Sequence, residues 1–278
     1  MPCYNGRVSE MDEEHLAIRM AESVIRTSTE YLGTHEDFVD VLKRRPKDIT
    51  RKIDMVAENA LDSAILQEGI CARVISEELG ERIVPSAAAP QYTLVLDPID
   101  GSQNAVLGIP YFCTSLALSK KPDGATFGDI EAAAVSSTAF GTFSAQKGKG
   151  ARWNGRPISV KENPEKPRYA IYSYNSGPIP KNLVSLQEER CVVRTLGSIA
   201  LDLCLLARGS LDSVIDTRNK LSCYDVMAGT LILEEAGGLI TDLGGKSFSS
   251  FPVTTTGISM VASANEKMHE RILKRLDM

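Results

Sequence analysis

The strongest constraint on this chain comes from the segment YTLVLDPIDGS at residues 92–102. Its apolar run predicts a buried strand that ends at the carboxylate of Asp97, followed by a proline turn and a second carboxylate, Asp100. Gly101 then allows close approach of the backbone, and Ser102 is a favourable cap for a helix. Paired carboxylates at a strand end suit a hard divalent cation, and the free N–H groups of a helix start suit an anion such as phosphate.

Two further acidic positions occur next to apolar segments. The run CARVIS at residues 71–76 predicts a short strand that leads directly into Glu77 and Glu78. Asp225 opens the apolar segment DVMAGTLILEEAGG, which predicts a buried helix closed by the glycine pair at 237–238. Each feature also has an ordinary interpretation: the paired aspartates as a capped turn, the glutamates as a solvated loop, and Asp225 as a helix cap.

Hydrophobic periodicity predicts two amphipathic helices near the start of the chain, over residues 10–32 and 53–65. Between them, the polar and basic stretch KRRPKDITRK at 43–52 predicts a mobile loop. Further along, the runs YFCTSLALS and GDIEAAAVSS predict two strands joined by a KKPDG turn, and residues 139–160 predict a hairpin-like region.

The stretch KENPEKPR at 161–168 carries several charges and two prolines, which marks a boundary between subdomains. It divides the chain into an N-terminal α+β subdomain, residues 1–160, and a C-terminal α/β subdomain, residues 161–278, where strands alternate with helices. As strand residues, Tyr172 and Tyr174 are expected in the core, with the wall of a ligand pocket as the alternative.

Composition excludes several classes of protein. Hydrophobic residues make up 43% of the chain and charged residues 24%, which predicts a folded globular protein. The net charge of −5 offers no basic surface for nucleic acid or anionic membrane, and no apolar run is long enough to cross a bilayer. The cysteines form no Cys-x-x-Cys pair, so we expect reduced thiols and a cytoplasmic location. His15, His35 and His269 are interpreted as surface residues.

Taken together, the motifs DPIDGS, SEEL and YDVMAGTLILEEAGG resemble the inositol monophosphatase/fructose-1,6-bisphosphatase superfamily of metal-dependent phosphatases. Their order and spacing match over nearly the whole chain, and the segments DITRKID and IDTRNKLSCYD look most like the archaeal dual-specificity members. The departures are Ser102 for the usual Thr, Ala105 for an aromatic residue, and Tyr224 for Trp. The resemblance implies a layered α-β-α-β-α sandwich of the α/β (α+β) class, and a homodimer.

The resemblance also implies the catalytic centre. It implies Mg²⁺, two or three ions per site with Mn²⁺ as a substitute, held by Glu77, Asp97, Asp100 and Asp225, by the Ile99 carbonyl, and by Asp48 for a third ion. Glu78 would orient the attacking water. Asp54 would hydrogen-bond Ser102, and the Ser102 hydroxyl would help to activate that water.

The substrate positions follow from the same resemblance. Phosphate would bind the N–H groups of Gly101 and Ser102, and the leaving group would face Gly197, Ser198, Ala200, Asp216 and Arg218. Arg218 stands where dedicated inositol monophosphatases carry a carboxylate, so its guanidinium offers a fork for a second phosphate or a polyol. The implied activity is hydrolysis of inositol 1-phosphate and/or fructose 1,6-bisphosphate. The alternatives are a 3′-phosphoadenosine 5′-phosphate phosphatase of the same superfamily and a non-catalytic member of the fold.

Overall fold

The computed structural model describes residues 12–45, 48–161, 165–173 and 190–276. Within these ranges the helices are α1 (Glu13–Thr34), α2 (Lys52–Gln67), α3 (Ser102–Val106), α4 (Ile199–Ala207), α5 (Cys223–Glu235) and α6 (Glu266–Leu276). The strands are β1 (Val41–Arg45), β2 (Asp48–Arg51), β3 (Ala72–Ser76), β4 (Gly80–Val84), β5 (Tyr92–Asp100), β6 (Cys113–Ser119), β7 (Ile130–Ser137), β8 (Gly141–Gln146), β9 (Ala151–Trp153), β10 (Arg156–Ile158), β11 (Arg168–Tyr172), β12 (Val192–Arg194), β13 (Ser213–Ser222), β14 (Leu239–Thr241) and β15 (Thr256–Ser263).

Two large sheets organise the described chain. The first has eight strands in the order β10-β9-β8-β7-β6-β5-β3-β4, antiparallel except for the parallel pair β3 and β5. The second has five strands in the order β12-β11-β13-β15-β14. There β11 runs parallel to both β12 and β13, whereas β15 runs antiparallel to β13 and β14.

The sheets and helices alternate in layers, as the family resemblance implied. Helices α1 and α2 cover one face of the eight-stranded sheet, because each carries an apolar stripe. The stripe of α1 includes Leu16 and Met20, and that of α2 includes Leu61. Helices α4 and α5 lie between the two sheets, and α5 is buried along most of its length because both of its faces meet apolar side chains. Helix α6 packs Met268 and Ile272 on the outer face of the five-stranded sheet. The predicted α-β-α-β-α order is therefore confirmed.

The predicted loop at 43–52 is wrong. Strands β1 and β2 pair as an antiparallel hairpin in which Lys43 lies opposite Thr50 and Arg45 lies opposite Asp48. A two-stranded ladder satisfies backbone hydrogen bonds without burying side chains, so polar composition does not exclude it. The side chain of Asp48 lies outside the described part of the structure.

The predicted strand end at Asp97 is also wrong. Strand β5 continues to Asp100, and its register against β6 shifts between Asp97 and Asp100. Pro98 cannot donate to the ladder, so the strand is irregular there instead of turning. The carbonyl of Pro98 accepts a hydrogen bond from the Thr114 hydroxyl at 2.9 Å, which anchors the irregular segment to β6.

One histidine prediction is wrong as well. His15 and His35 are exposed, but His269 is buried on the inner face of α6, where its Nε2 lies 2.9 Å from the Thr241 hydroxyl. A lone histidine on an amphipathic helix can face the core when it finds such a partner. No helix among the described residues is long and apolar enough to cross a bilayer.

The two sheets divide the chain between Ile158, where β10 ends, and Arg168, where β11 begins. Their facing sides share one apolar core, which runs from Ile75 on the first sheet to Ala262 on the second. The division into subdomains at 160/161 stays a prediction.

Candidate active site

Parallel pairing brings the first two acidic positions together. Ser76, the last residue of β3, lies opposite Leu96 in β5. Glu77 directly follows β3, and Asp97 is the next residue of β5; adjacent parallel strands present their carboxyl ends at the same edge. The two carboxylates therefore reach the same edge of the sheet from segments that are separated by the whole of β4.

The start of α5 adds a third carboxylate. Ser115 of β6 lies opposite Asp97, and its hydroxyl donates to the Tyr224 carbonyl at 3.4 Å. This contact holds the first turn of α5 against the sheet next to Asp97. In that turn Asp225 accepts the Ser222 N–H at 2.5 Å, so it also caps its helix, as the ordinary interpretation required.

Asp100 faces the N-terminus of α4. Its Oδ2 accepts hydrogen bonds from the Ser198 hydroxyl at 2.6 Å and from the Ala200 N–H at 2.7 Å. Ser198 and Ala200 are fully buried. Their hydrogen bonds therefore go to Asp100 and join the end of β5 to the C-terminal helices.

The acidic side chains influence one another electrostatically. Burial and then the neighbouring charges of Glu77, Asp100 and Asp225 raise the pKa of Asp97 well above its ordinary value. Burial also raises the pKa of Asp225 to about 7 and that of Asp100 to about 6. Such raised pKa values mean that ionising these carboxyl groups costs free energy unless a positive charge lies beside them.

This arrangement fits a hard divalent cation. The donors are carboxylate oxygens, which Mg²⁺ and Mn²⁺ prefer, and a bound cation would reverse the electrostatic cost of placing them together. No three His, Cys, Asp or Glu side chains in the described ranges already surround one point at ligand distance. Like-charged carboxylates repel each other, so carboxylates that lie apart without a cation are compatible with a site in which a bound cation would bring them together.

Glu78 is positioned by two other elements. The Thr50 hydroxyl of β2 donates to Glu78 Oε2 at 2.5 Å. Below it, the fully buried Glu58 accepts the N–H groups of Glu78 at 3.3 Å and Leu79 at 3.2 Å. Arg82 donates to the other oxygen of Glu58 at 2.7 Å.

Glu58 was missed by the sequence analysis, although a signal was present. It lies one turn after Asp54 on α2, near the buried positions Leu61 and Ile65. A carboxylate on an apolar stripe needs buried partners, and such a residue commonly organises a neighbouring loop.

Asp54 lies at the start of α2, where it accepts the Arg51 N–H at 2.6 Å and so caps the helix. Its expected hydrogen bond with Ser102 stays a prediction.

Gly101 lies where the backbone around Tyr111 comes close to the start of α3. It has φ +92°, and a Cβ there would lie 2.9 Å from the Tyr111 carbonyl oxygen. Asn104, which the sequence analysis missed, donates from Nδ2 to that carbonyl and to the Leu196 carbonyl, both at 2.7 Å. The turn that begins α3 is thereby tied to the segment that leads through Gly197 into α4.

Arg218 lies on the side of the five-stranded sheet. Its Nε and Nη2 donate to Asp216 Oδ2 at 2.8 and 2.6 Å, and its guanidinium lies 4.8 Å from the ring centre of Tyr172. Asp216 and Tyr172 are buried, which confirms Tyr172 as a core residue. Tyr174 lies outside the described residues.

Comparison with known proteins places these features in a family. The sequence model described as the inositol monophosphatase family matches residues 9–277. A relative named fructose-1,6-bisphosphatase/inositol-1-monophosphatase from Methanothermobacter thermautotrophicus is 33% identical, with 94% of this chain and 95% of the relative covered. A relative of the same name from Thermococcus kodakarensis is 34% identical, with 96% and 98% covered.

A solved structure agrees with these matches. A Pyrococcus horikoshii protein, described as having similarities to inositol-1 monophosphatase, superposes with a TM-score of 0.76 at 32% identity, and the match covers 94% of this chain and 96% of that one. Metal dependence is general for proteins of this kind. With a family match over nearly its full length, and with the acidic motifs meeting at one sheet edge, the chain belongs to the inositol monophosphatase family.

Proposed function

We propose that this protein is a Mg²⁺-dependent phosphatase that hydrolyses inositol 1-phosphate and/or fructose 1,6-bisphosphate. The observation that carries the proposal is the electrostatic influence of Asp100, Asp225 and Glu77 on the buried Asp97 beside the Gly101 turn, with Glu77 directly after the adjacent strand β3. Carboxylates and the start of a helix together match the two parts of a metal–phosphate complex. The names of the two archaeal relatives support the choice of substrates.

The proposed cation ligands are Glu77, Asp97, Asp100, Asp225 and the Ile99 carbonyl, with Asp48 for a third ion. When bound, divalent cations neutralise phosphate charge and stabilise the attacking and leaving oxygens of an in-line displacement. Asp97 accepts the Ile99 N–H at 2.9 Å, which restrains the backbone that carries the Ile99 carbonyl. Two or three Mg²⁺ ions per site are expected, and Mn²⁺ is expected to substitute.

The chain's own residues would prepare the water and the phosphate. Glu78, which accepts the Thr50 hydroxyl, would orient the attacking water by accepting a hydrogen bond from it. Ser102 would assist with its hydroxyl, and Asp54 would accept from Ser102 when substrate is present. The N–H groups of Gly101 and Ser102 would bind phosphate oxygens, as helix starts do.

The leaving group would lie on the side of Gly197 and Arg218. Ser198 and Ala200 support that side through their hydrogen bonds to Asp100. Arg218 offers a planar cation to a remote phosphate or to polyol hydroxyls, and Asp216 fixes its orientation.

Turnover with and without metal tests the proposal. The purified full chain is assayed on inositol 1-phosphate, fructose 1,6-bisphosphate, 3′-phosphoadenosine 5′-phosphate and p-nitrophenyl phosphate, with Mg²⁺ or with a chelator. We expect hydrolysis of at least one of the first two substrates, lost with the chelator. Preference for the nucleotide would favour the alternative phosphatase, and no hydrolysis at all would favour a non-catalytic member. The homodimer and the cytoplasmic location stay predictions from the sequence.

A further inference from the structure

A buried carboxylate outside the proposed cation site joins the two halves of the molecule. Asp202, in the first turn of α4, is fully buried. Its Oδ1 accepts the Tyr111 hydroxyl at 2.5 Å, and its Oδ2 accepts the Tyr172 hydroxyl at 2.6 Å. Tyr111 precedes β6 of the eight-stranded sheet, whereas Tyr172 ends β11 of the five-stranded sheet. Each half therefore contributes one phenol to the same carboxylate.

The Tyr172 hydroxyl has a second partner. It accepts the Gly197 N–H at 2.8 Å while it donates its one proton to Asp202. Because a phenol carries a single proton, the carboxylate decides which way that proton points and leaves the oxygen lone pairs for Gly197. The ring of the same tyrosine lies beneath the Arg218 guanidinium. We call Gly197 and Arg218, which would face the leaving group, the leaving-group wall. Asp202 contacts both residues of this wall indirectly, through the side chain of Tyr172.

The wall is also held in register with the Gly101 turn. Leu196, directly before Gly197, and Tyr111 both give their carbonyls to Asn104 of α3. A Cβ on Gly197 would lie 3.0 Å from Asn104 Nδ2, so the two segments are in close contact. Gly197 is therefore restrained on one side by Tyr172 and on the other by the helix that follows the phosphate-binding turn.

We propose that Asp202 is a positioning residue that acts through Tyr172 to hold Gly197 and Arg218 against the leaving group, and so contributes to substrate choice. The inference rests on the proposed phosphatase function. A carboxyl group suits this role because it offers one oxygen to each phenol, whereas an amide offers one oxygen and turns its NH₂ group toward the other hydroxyl.

A pair of matched variants tests the proposal. Tyr172→Phe and Tyr111→Phe each remove one hydroxyl from Asp202, but only Tyr172→Phe also removes the acceptor of the Gly197 N–H. We expect Tyr172→Phe to raise KM for the sugar or inositol phosphate by roughly five- to tenfold, the effect of one hydrogen bond. We expect its KM for p-nitrophenyl phosphate, whose leaving group has no polyol hydroxyls, to change less than about twofold. Tyr111→Phe should leave KM for both substrates near the wild-type value.

The control results separate this role from a purely structural one. Both variants should lower the thermal unfolding midpoint, and Tyr172→Phe should lower it more, because it loses two hydrogen bonds whereas Tyr111→Phe loses one. Equal KM values in the two variants, or an equal rise for p-nitrophenyl phosphate, would overturn the positioning role. Asp202→Asn is measured beside them and must show the same difference between substrates, and this variant decides the test if Tyr172→Phe fails to fold. A wild-type protein without phosphatase activity would instead overturn the proposed function, and with it this inference.

Discussion

Arg218 and Asp216 form an ion pair in which two guanidinium nitrogens donate to one buried carboxylate oxygen, at 2.8 and 2.6 Å. The Arg218 N–H donates to the other oxygen at 2.8 Å, so Asp216 holds both the backbone and the side chain of the arginine. The Arg218 side chain is only 12% exposed. A cation held in this way has little conformational freedom left to lose when an anion binds. The entropic cost of binding is therefore small, which favours its use in recognition.

Replacing Arg218 should alter substrate preference. Arg218→Ala is expected to lower kcat/KM for fructose 1,6-bisphosphate by roughly ten- to a hundredfold, the value of a charge-assisted hydrogen bond, and much less for inositol 1-phosphate, which has no second phosphate. Arg218→Glu should widen the difference by repulsion. Arg194→Ala, at an exposed arginine that donates to the Val193 carbonyl, serves as the control. Equal losses on both substrates would assign Arg218 to structure or to the common phosphate.

Removing a proposed cation ligand should abolish activity without unfolding the protein. Asp97→Asn and Asp225→Asn keep an oxygen that can accept the N–H of Ile99 or Ser222, so the local fold should survive. Each loses charge at the metal, and turnover should fall on the order of a hundredfold or more. Without metal, the thermal unfolding midpoint should hold or rise because carboxylate repulsion is relieved. Near-normal turnover in either variant would contradict the two-metal proposal.

Stability without metal should depend on pH. Burial raises the pKa of Asp225 to about 7 and of Asp100 to about 6, from an ordinary value of 3.8. Between the ordinary pKa of 3.8 and the raised values of about 6 and about 7, the folded protein binds more protons than the unfolded chain. Its free energy of unfolding therefore falls as the pH rises through this window. Urea unfolding with a chelator at about pH 5 and about pH 8 measures the change, and Asp225→Asn should reduce it. Stability that rises with pH would contradict the assignment of these shifts.

The hydroxyl of residue 102 should be required for turnover. Ser102→Ala is expected to lower kcat by roughly 10²–10⁴-fold, as for a group that assists proton transfer, with little change in the Mg²⁺ concentration needed. Ser102→Thr should be close to neutral because it keeps the hydroxyl. Steady-state kinetics on one substrate compares the two variants. If Ala and Thr behave alike, Ser102 serves only at the start of α3.

Glu58 should control metal affinity through the loop that carries Glu77 and Glu78. Glu58→Gln weakens the contact to Arg82 and the acceptor for the loop N–H groups, and such supporting residues are worth roughly 10- to 100-fold in metal affinity. Activity and thermal unfolding are both titrated with Mg²⁺. Asp62→Asn is the matched control, because Asp62 also accepts from Arg82, at 2.7 Å, and accepts no hydrogen bond from the loop N–H groups. Equal effects of the two variants would show that the Arg82 network acts only on general stability.

Local sequence was sufficient to identify the acidic motifs, and the resemblance that these motifs carry implied the layered fold. Short runs of residues encode the strand that leads to Asp97, the strand that leads to Glu77 and the helix whose first turn carries Asp225. Polar side chains at the ends of apolar elements are visible in such runs because burial along the element enforces the pattern. The boundaries were less certain: Pro98 led to a predicted turn where the chain forms an irregular strand, and charge led to a predicted loop at 43–52 where backbone pairing forms a hairpin.

Short runs of residues therefore show which carboxylates lie at the ends of strands and helices. The buried polar groups that hold these carboxylates in place are defined only when the chain is folded. Asp202 meets Tyr111 from 91 residues away, and Asn104 reaches Leu196 across 92 residues. A buried hydrogen bond requires its donor and acceptor to arrive from elements that the chain brings together only when the sheets and helices pack, and no local periodicity marks that partnership. Glu58, Asn104 and Asp202 were recognised only when their partners were in place.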